Sequence, residues 1–465
     1  MTPQQARTYL NSFIDLEQSL DNVTNKIFKL ERVHKLLLAL GNPHKNLKTV
    51  HIAGSKGKGS TSVMVAHILK EAGYKVGLYT SPHIQSYNER IRILTLGAEP
   101  ATEAVFPDSI SDDRLAQVLT SIQSVIEEVR SDRTHGRLTF YEVYTALAFY
   151  YFNQEQIDFA VIETGLGGRL DATNVIDSMV AVITPISLEH THILGDTLDK
   201  IAYEKAAIIK KYQDVVIAPQ RTQAMEVILK RCEQFGIKPV NVAEDIMIKK
   251  IEQNFLNQTV HLKTAKSDYQ DLEILLLGVH QCSNAAAAVS VAELINKKGF
   301  LISREAIYRG LKTAFWPIRF EILGKNPFVI LDAAHNEDSM LRLAGTVRLY
   351  FGDQKVHLIL GVSNDKKISE ICTAVKNIAS RVYITKADNK RAYEFKDEEL
   401  SHLFSGLDLI KTNSVADALK LAWNECPHDG IILITGSIFV ASEARGLLLN
   451  RAPGRIGQLC INMKG

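Results

Sequence analysis

His51-Ile52-Ala53-Gly54-Ser55-Lys56-Gly57-Lys58-Gly59-Ser60 is the stretch that decides the fold. It ends a short apolar run, Thr49 to Ala53, that reads as a strand. It opens a run from Ser60 to Glu71 with Val65, Ile68, Leu69 and Ala72 at helical spacing. Between the two, glycines let the backbone turn several N–H groups toward one anion, and the helix N-terminus adds its positive dipole end. Lys58 is placed to reach terminal phosphates, and Ser60 sits near the helix start. Gly54, Gly57, Lys58, Gly59 and Ser60 are therefore the candidate phosphate-binding loop. The standard pattern G-x-x-x-x-G-K-[ST] fails twice: its first glycine is missing, and Gly59 intervenes before Ser60.

Outward from this loop, short apolar runs alternate with helix-length amphipathic ones, the rhythm of an α/β protein with a mainly parallel sheet. Val76 to Thr80, Phe159 to Ile162, Val180 to Ile183 and Val215 to Ala218 read as further strands. Phe140 to Phe152, Thr197 to Lys210 and the Ala-rich run Asn284 to Leu294 read as helices. Alternating stretches around Val260, Leu262, Ile274 and Leu276 predict a small antiparallel segment. A second α/β series follows Trp316-Pro317, with strands at Phe328 to Leu331, Val356 to Leu360, Val382 to Ile384 and Ile431 to Ile434. The expected fold is a phosphate-loop-type, mainly parallel sheet domain with that antiparallel segment (1–314), plus a smaller Rossmann-like C-terminal domain (315–465).

Composition removes other classes. Among 465 residues, 54 Lys+Arg stand against 52 Asp+Glu, so nothing marks the chain for nucleic acid or an anionic membrane. No apolar run approaches the ~20 residues of a membrane span. Met1 to Leu20 is polar and mixed in charge, unlike a signal peptide. The five cysteines are scattered, without C-x-x-C, so a reducing, cytoplasmic setting is expected.

A nucleoside triphosphate needs magnesium, which takes oxygen ligands and keeps waters. Glu163 ends the strand at Ile162, where the carboxyl ends of a parallel sheet face the ligand crevice. It is the candidate metal carboxylate. Ser81 follows another strand, and in Glu189-His190-Thr191-His192 two histidines stand together. With no cysteine or third ligand nearby, structural zinc is a weak reading. Lys205, in Glu204-Lys205-Ala206, reads by itself as a solvated helix lysine. A second glycine-rich stretch, Gly165-Leu166-Gly167-Gly168-Arg169-Leu170, tempts a dinucleotide reading. It fails, because Leu170 stands where that fingerprint needs Gly or Ala and no obvious helix follows.

Further marks accumulate in order: Leu40-Gly41-Asn42-Pro43, Tyr79 to His83 with Asn88-Glu89-Arg90, Thr139-Phe140-Tyr141-Glu142, and Glu163 through Asn174. They continue with Gly278 to Ala285, Arg319-Phe320-Glu321, Asp332-Ala333-Ala334-His335-Asn336 and Thr435-Gly436-Ser437. In this order and spacing the chain resembles the Mur ligase superfamily and, within it, folylpolyglutamate synthase and dihydrofolate synthase. The resemblance implies an ATP-dependent ligase. ATP phosphorylates a substrate carboxylate, and the amine of L-glutamate attacks the acyl phosphate to give an amide. It also implies magnesium, two ions, on Ser81, Glu163 and His190, with Lys205 joining them if carbamylated. Lys58, Glu163, His190 and Lys205 form the implied catalytic set, and Asn284, Arg319 and Asp332 the further nucleotide contacts. Thr139 and Glu142 are implied on the pteroate or folate acceptor, His335 and Ser437 are candidates for L-glutamate, and a monomer is expected.

The chain departs from the family pattern at several points. Ser55-Lys56 replaces a usual Thr-Asn, Ile318 a Gly before Arg319, Ala333 a Gly after Asp332, Glu189 an Asp before His190, and Lys367 an Asp after Lys366. Thr95 to Asp113 reads as a longer, acidic loop. These changes touch specificity more than reaction class. Two alternatives stay open: a Mur-type ligase on another acceptor, such as a cell-wall precursor, and a non-catalytic nucleotide-binding subunit.

Overall fold

The computed structural model describes residues 1–16, 28–97, 106–132 and 134–451. Its first sheet holds β1 (Thr49–Ala53), β2 (Val76–Tyr79), β3 (Ile91–Leu94), β4 (Phe159–Glu163), β5 (Val180–Ile183), β6 (Asp214–Ile217) and β7 (Val240–Asn241). Their order is β3-β2-β4-β1-β5-β6-β7. Every neighbour is parallel except β3, which pairs antiparallel with β2. Buried on both faces, β1 and β4 are the near-continuous apolar runs that a helix-covered parallel sheet requires.

The order aligns the strand ends. Ile52 of β1 pairs with Glu163 of β4, Tyr79 of β2 with Ile162, and Ala53 with Ile183 of β5. The loops that follow β2, β4, β1 and β5 therefore leave the sheet side by side. Helix Lys58–Glu71 leaves the β1 loop with Ser60 to Leu69 all buried, so its moment as an amphipathic surface helix is lost. Helix Arg304–Thr313 crosses it so closely that a Cβ on Gly310 would lie 2.5 Å from Ile68 Cα. Tyr79, Ala160 and Ile162 pack in one core with residues of helices Asp112–Ser131 and Phe140–Gln154. Ala181, Ile183, Val215 and Ile217 pack with Ile201, Ala202, Ala224 and Ile228.

A three-stranded sheet follows, in the order β10-β9-β8: β8 (Met247–Gln253), β9 (Gln258–Lys263) and β10 (Asp268–Ile274). Its four-residue connections permit only antiparallel neighbours. The last sheet runs β11-β12-β16-β13-β14-β15, made of β11 (Glu321–Lys325), β12 (Phe328–Leu331), β13 (Val356–Leu360), β14 (Ala379–Ile384), β15 (Asp408–Lys411) and β16 (Ile431–Thr435). Only β11 is antiparallel to its neighbour. The chain divides into two compact units. One comprises Met1–Ile251, Thr259–Leu275 and His280–Ala314; the other comprises Glu252–Gln258, Leu276–Val279 and Phe315–Gly465. Phe255, from the tip of the β8–β9 connection, packs on Phe328 and Phe351 of this second unit.

Two sequence expectations need correction. The helix expected over Thr197 to Lys210 spans only Leu198–Ala206. Past it Ile208 and Ile209 turn back onto Lys205 and Ala206, and Lys210 Nζ donates to the carbonyls of Asn174 (2.8 Å) and Ile176 (2.7 Å). Of the loop from Thr95 to Asp113, residues 98–105 lie outside the described residues. The remainder extends the sheet edge. Ile93 N donates to Asp108 O and Ile110 N to Ile91 O, while Arg92 pairs with Asp108 at 2.8 Å and lies 4.0 Å from the Phe106 ring centroid.

Candidate active site

The β1 loop is held from the β5 side. Ser55 N and Lys56 N both donate to Pro185 O at 3.0 Å, and Ser55 Oγ donates to Ser187 O at 3.1 Å. Gly54 has φ +153°, and a Cβ there would lie 1.8 Å from Thr184 Oγ1, so no side chain fits. Gly57, at φ +82°, caps helix Lys58–Glu71, and its bare Cα lies against Asn284: a Cβ would stand 2.6 Å from Asn284 Oδ1. Asn284 donates to Gln281 Oε1 at 2.8 Å. The structure thus places Asn284, on helix Val279–Lys297, against Gly57 of the β1 loop.

Two lysines meet at one carbonyl. Lys58 Nζ donates to Gly54 O at 3.1 Å, and Lys205 Nζ donates to the same oxygen at 2.8 Å. Lys205 also pairs with Glu189 Oε1 at 2.9 Å. At 1% exposure it is not a solvated helix lysine, which corrects its reading as an isolated residue. Burial pulls the Lys205 ammonium below its ordinary value; Glu189 opposes this and Lys58 adds to it. Burial works to raise the Glu189 carboxyl, but Lys205, Lys58, Lys56 and His190 outweigh it and hold it well below the usual carboxylate range. The result is a cationic loop mouth with one buried counter-charge.

Glu163, at the end of β4, is buried, and its Oε2 accepts from Ser81 N at 3.2 Å. Two of the expected magnesium residues, Ser81 and Glu163, are therefore neighbours. His190 takes a left-handed conformation, φ +45°, at the start of the short helix Thr191–Leu194. Among the described residues no group of three or more His, Cys, Asp or Glu stands close enough to hold a metal by itself. That does not fit zinc. A strand-end carboxylate beside Ser81 and next to β1 does fit magnesium, which shares its shell with water and phosphate oxygens.

The second glycine-rich stretch is folded around a side chain of its own. Gly165 N and Leu166 N donate to Asp171 Oδ2 at 2.9 and 2.8 Å, and Thr173 N and Oγ1 donate to Asp171 Oδ1 at 3.0 and 2.5 Å. These N–H groups do not face an outside anion. Thr139 and Glu142 also carry a structural task. They form a reciprocal cap on helix Phe140–Gln154, and Glu142, buried, pairs with Arg32 at 2.6 Å. Burial raises the Glu142 carboxyl, against the pull of Arg32 and Thr139. An acceptor contact from this segment would thus have to come from atoms outside that cap.

In the second unit, Asp332 follows β12 and gathers the Arg319 turn: its carboxylate accepts from Phe320 N (2.9 Å) and Ala334 N (2.8 Å). Ile318 and Phe320 have φ +51° and +49°. The left-handed region costs a β-branched residue roughly 1–2 kcal/mol. The replaced glycine therefore matters at Ile318, whereas Ala333 has no positive φ. His335 Nδ1 lies 2.9 Å from Ala333 O, and Ser437 Oγ accepts from Val440 N at 3.1 Å at the start of helix Ile438–Arg451.

Residues 109–292 match the Mur ligase middle domain and residues 318–438 the Mur ligase glutamate ligase domain. The dihydrofolate synthase/folylpolyglutamate synthase of Bacillus subtilis is 33% identical over 422 residues, 90% of this chain and 94% of that protein. The chain belongs to the folylpolyglutamate synthase/dihydrofolate synthase family. Another member of this family, the folylpolyglutamate synthase of Lacticaseibacillus casei, is 32% identical over 95% of this chain and 97% of its own length. Solved structures of family members agree. The Mycobacterium tuberculosis folylpolyglutamate synthase complexed with ADP superposes with a TM-score of 0.86, at 28% identity, covering 96% of this chain and 98% of that one. An FPGS complex with AMPPCP and folate gives 0.80, at 29% identity, covering 97% and 100%.

Proposed function

We propose that the chain is an ATP-dependent ligase that adds L-glutamate to a folate-type carboxylate, dihydropteroate, tetrahydrofolate or both. The observation that carries this is the β1 loop, where two lysines, Asn284 and turned backbone meet beside Ser81 and Glu163. Phosphoryl transfer needs positioning and charge neutralisation more than a protein nucleophile, and this site supplies those. The relatives named above, one of them solved with AMPPCP and folate together, support the same substrates.

Lys58 leaves Gly54 O for the terminal phosphates, while the backbone N–H groups from Gly57 to Gly59, at the start of helix Lys58–Glu71, hold their oxygens. The acceptor carboxylate attacks the γ-phosphorus and ADP leaves. The glutamate amine then attacks the acyl carbon, inorganic phosphate leaves, and the amide forms as the amine loses its proton. Ser81, Glu163 and His190 would hold magnesium, two ions with Lys205 if carbamylated, and magnesium supplies charge neutralisation on the phosphates. A carbamate on Lys205 would exchange its bonds to Gly54 O and Glu189 for a new anion. Residues 1–314 are assigned ATP and acceptor, and residues 315–465 L-glutamate, with His335 and Ser437 as contacts and Arg319 and Asp332 on the nucleotide. Among the described residues no helix is long and apolar enough to cross a membrane. We assign a cytoplasmic monomer.

Mass spectrometry of products tests the reading. Purified chain, MgATP and L-glutamate are incubated with dihydropteroate and, separately, with tetrahydrofolate. A gain of one glutamate on dihydropteroate makes the chain a dihydrofolate synthase, and extension of tetrahydrofolate makes it a polyglutamylation enzyme. ATP-dependent turnover of a cell-wall precursor, with both folate acceptors silent, would overturn the assignment.

A further inference from the structure

β1 is apolar except for Thr49 at its start and one fully buried ring at its centre, His51. Its Nε2 lies 2.8 Å from Thr173 Oγ1, and that hydroxyl lies 2.5 Å from Asp171 Oδ1. Proton directions follow from the end of the chain. Gly165 N, Leu166 N and Thr173 N all donate to the Asp171 carboxylate, so it accepts from the Thr173 hydroxyl too. That hydroxyl has spent its proton and must accept from His51, which is then the neutral tautomer with its proton on Nε2. The His51 Nδ1 is buried without a hydrogen bond, in keeping with a ring nitrogen that carries no proton.

The two ends of this relay belong to different parts of the site. His51 stands three residues before Gly54 on the strand that feeds the phosphate loop. Asp171 folds the loop that follows Glu163, and Tyr141, from the segment assigned to the acceptor, reaches its Oδ1 at 3.5 Å. A Cβ on Gly165 would lie 2.6 Å from the Tyr141 hydroxyl. We infer that His51 is a positioning residue for acceptor binding: through Thr173 it locks the Asp171 carboxylate, and with it the loop Gly165 to Asn174, onto β1. This rests on the ligase reading above. His51 touches no reacting atom. Its work is to fix the loop against which the acceptor segment packs, while the phosphate loop is held separately by Pro185, Ser187 and Thr184.

Thr173→Val, isosteric but without the hydroxyl, is the sharpest test. Acceptor KM should rise by about tenfold or more, the size expected for one buried hydrogen-bond link. The Kd of a non-hydrolysable ATP analogue should stay within about twofold, since the phosphate loop keeps its own supports. Thr173→Ser should restore acceptor KM. His51→Leu should reproduce Thr173→Val, His51→Gln should recover much of the loss, and the double variant His51→Leu/Thr173→Val should be no worse than either single one, because both break the same relay. Acceptor KM within about twofold of wild type in Thr173→Val, or additive single effects, overturns the inference. Hydrogen exchange at the Gly165 and Leu166 amides reads the lock without any turnover: it should accelerate in Thr173→Val, and unchanged protection also overturns the inference. A wild-type chain silent with every pteroate and folate acceptor fails the ligase reading instead, leaving the exchange result to decide the lock.

Discussion

Two glycine-rich loops follow neighbouring strands of the same sheet and do opposite things. The β1 loop, Gly54 to Gly59, carries Lys56 and Lys58, and its bonds to Pro185 and Ser187 brace it from one side. The β4 loop, Gly165 to Gly168, turns Gly165 N and Leu166 N onto Asp171, a buried carboxylate of the same loop. Glycine content and position after a strand are alike. What separates the anion cradle proposed for the first from the self-filled turn of the second is charge: lysines in the first, an internal carboxylate in the second. A glycine-rich strand–loop pattern therefore reports backbone freedom, and the charged residues within a few positions report what that freedom serves.

The comparison breaks first at Lys58. Lys58→Ala should lower kcat by roughly 10²–10³-fold, the scale of losing one preorganised charge partner in a phosphoryl-transfer site. Its melting temperature should stay near wild type, because among the described residues the hydrogen bond its side chain loses is to Gly54 O. Near-normal turnover would remove Lys58 from the phosphates. Next comes Gly54→Ala. The new Cβ would meet Thr184 Oγ1 at 1.8 Å and Thr184 O at 2.7 Å, and the backbone atom cannot step aside. A loss of about 3 kcal/mol or more in a denaturant titration is expected.

Much of this was legible before any coordinates. β1, β5, β12 and β13 have the limits expected from their apolar runs, because strands buried on both faces write themselves as uninterrupted hydrophobic letters. The antiparallel edge at β3 and the short exposed β15 leave no clear mark in the sequence, since edge strands alternate weakly and carry charges such as Arg92 and Asp408. In the site, Gly54 through Ser60 announced themselves by pattern. Lys205 did not. Its burial depends on Gly54 and Glu189, 151 and 16 residues away in sequence, and no local spacing encodes those contacts. Asp171 carries no local signal of its role for a similar reason: that role is visible only when the loop closes on it. A signal did exist for the relay, namely a histidine inside a five-residue strand that is otherwise Thr, Val, Ile and Ala.

The second loop should be the softer of the two. Asp171→Asn keeps the shape but gives up one acceptor, so an amide N–H must face either the Gly165 and Leu166 donors or Thr173. A loss of about 1–3 kcal/mol is expected by chemical denaturation. Should Asp171→Asn match wild type, the loop is not organised by that carboxylate. Gly165→Ala should cost less than Gly54→Ala, about 1–2 kcal/mol, because its Cβ meets the outer end of the Tyr141 ring and not a backbone atom. Equal losses in the two alanine variants would erase the distinction between the loops.

The smallest effect is the slope of stability with pH just below neutrality. Burial lowers the His51 ring to about 3 and the His44 ring to about 4, against an ordinary 6.5. Above pH 6.5 folded and unfolded chains both hold these rings neutral, so they add no slope. As pH falls through 6.5 the unfolded chain takes up protons that the folded chain refuses, and stability declines until the folded pKa is reached. Each such histidine contributes up to about 1.4 kcal/mol per pH unit at full slope, and only a fraction of that near its unfolded pKa. Melting temperatures between pH 8 and pH 5 should therefore fall on the acid side, and His51→Gln should flatten part of that fall even where it restores the bond to Thr173. If the variant keeps the wild-type slope, His51 is taking up protons in the folded state, and the neutral ring that orients the second loop would have to be given up.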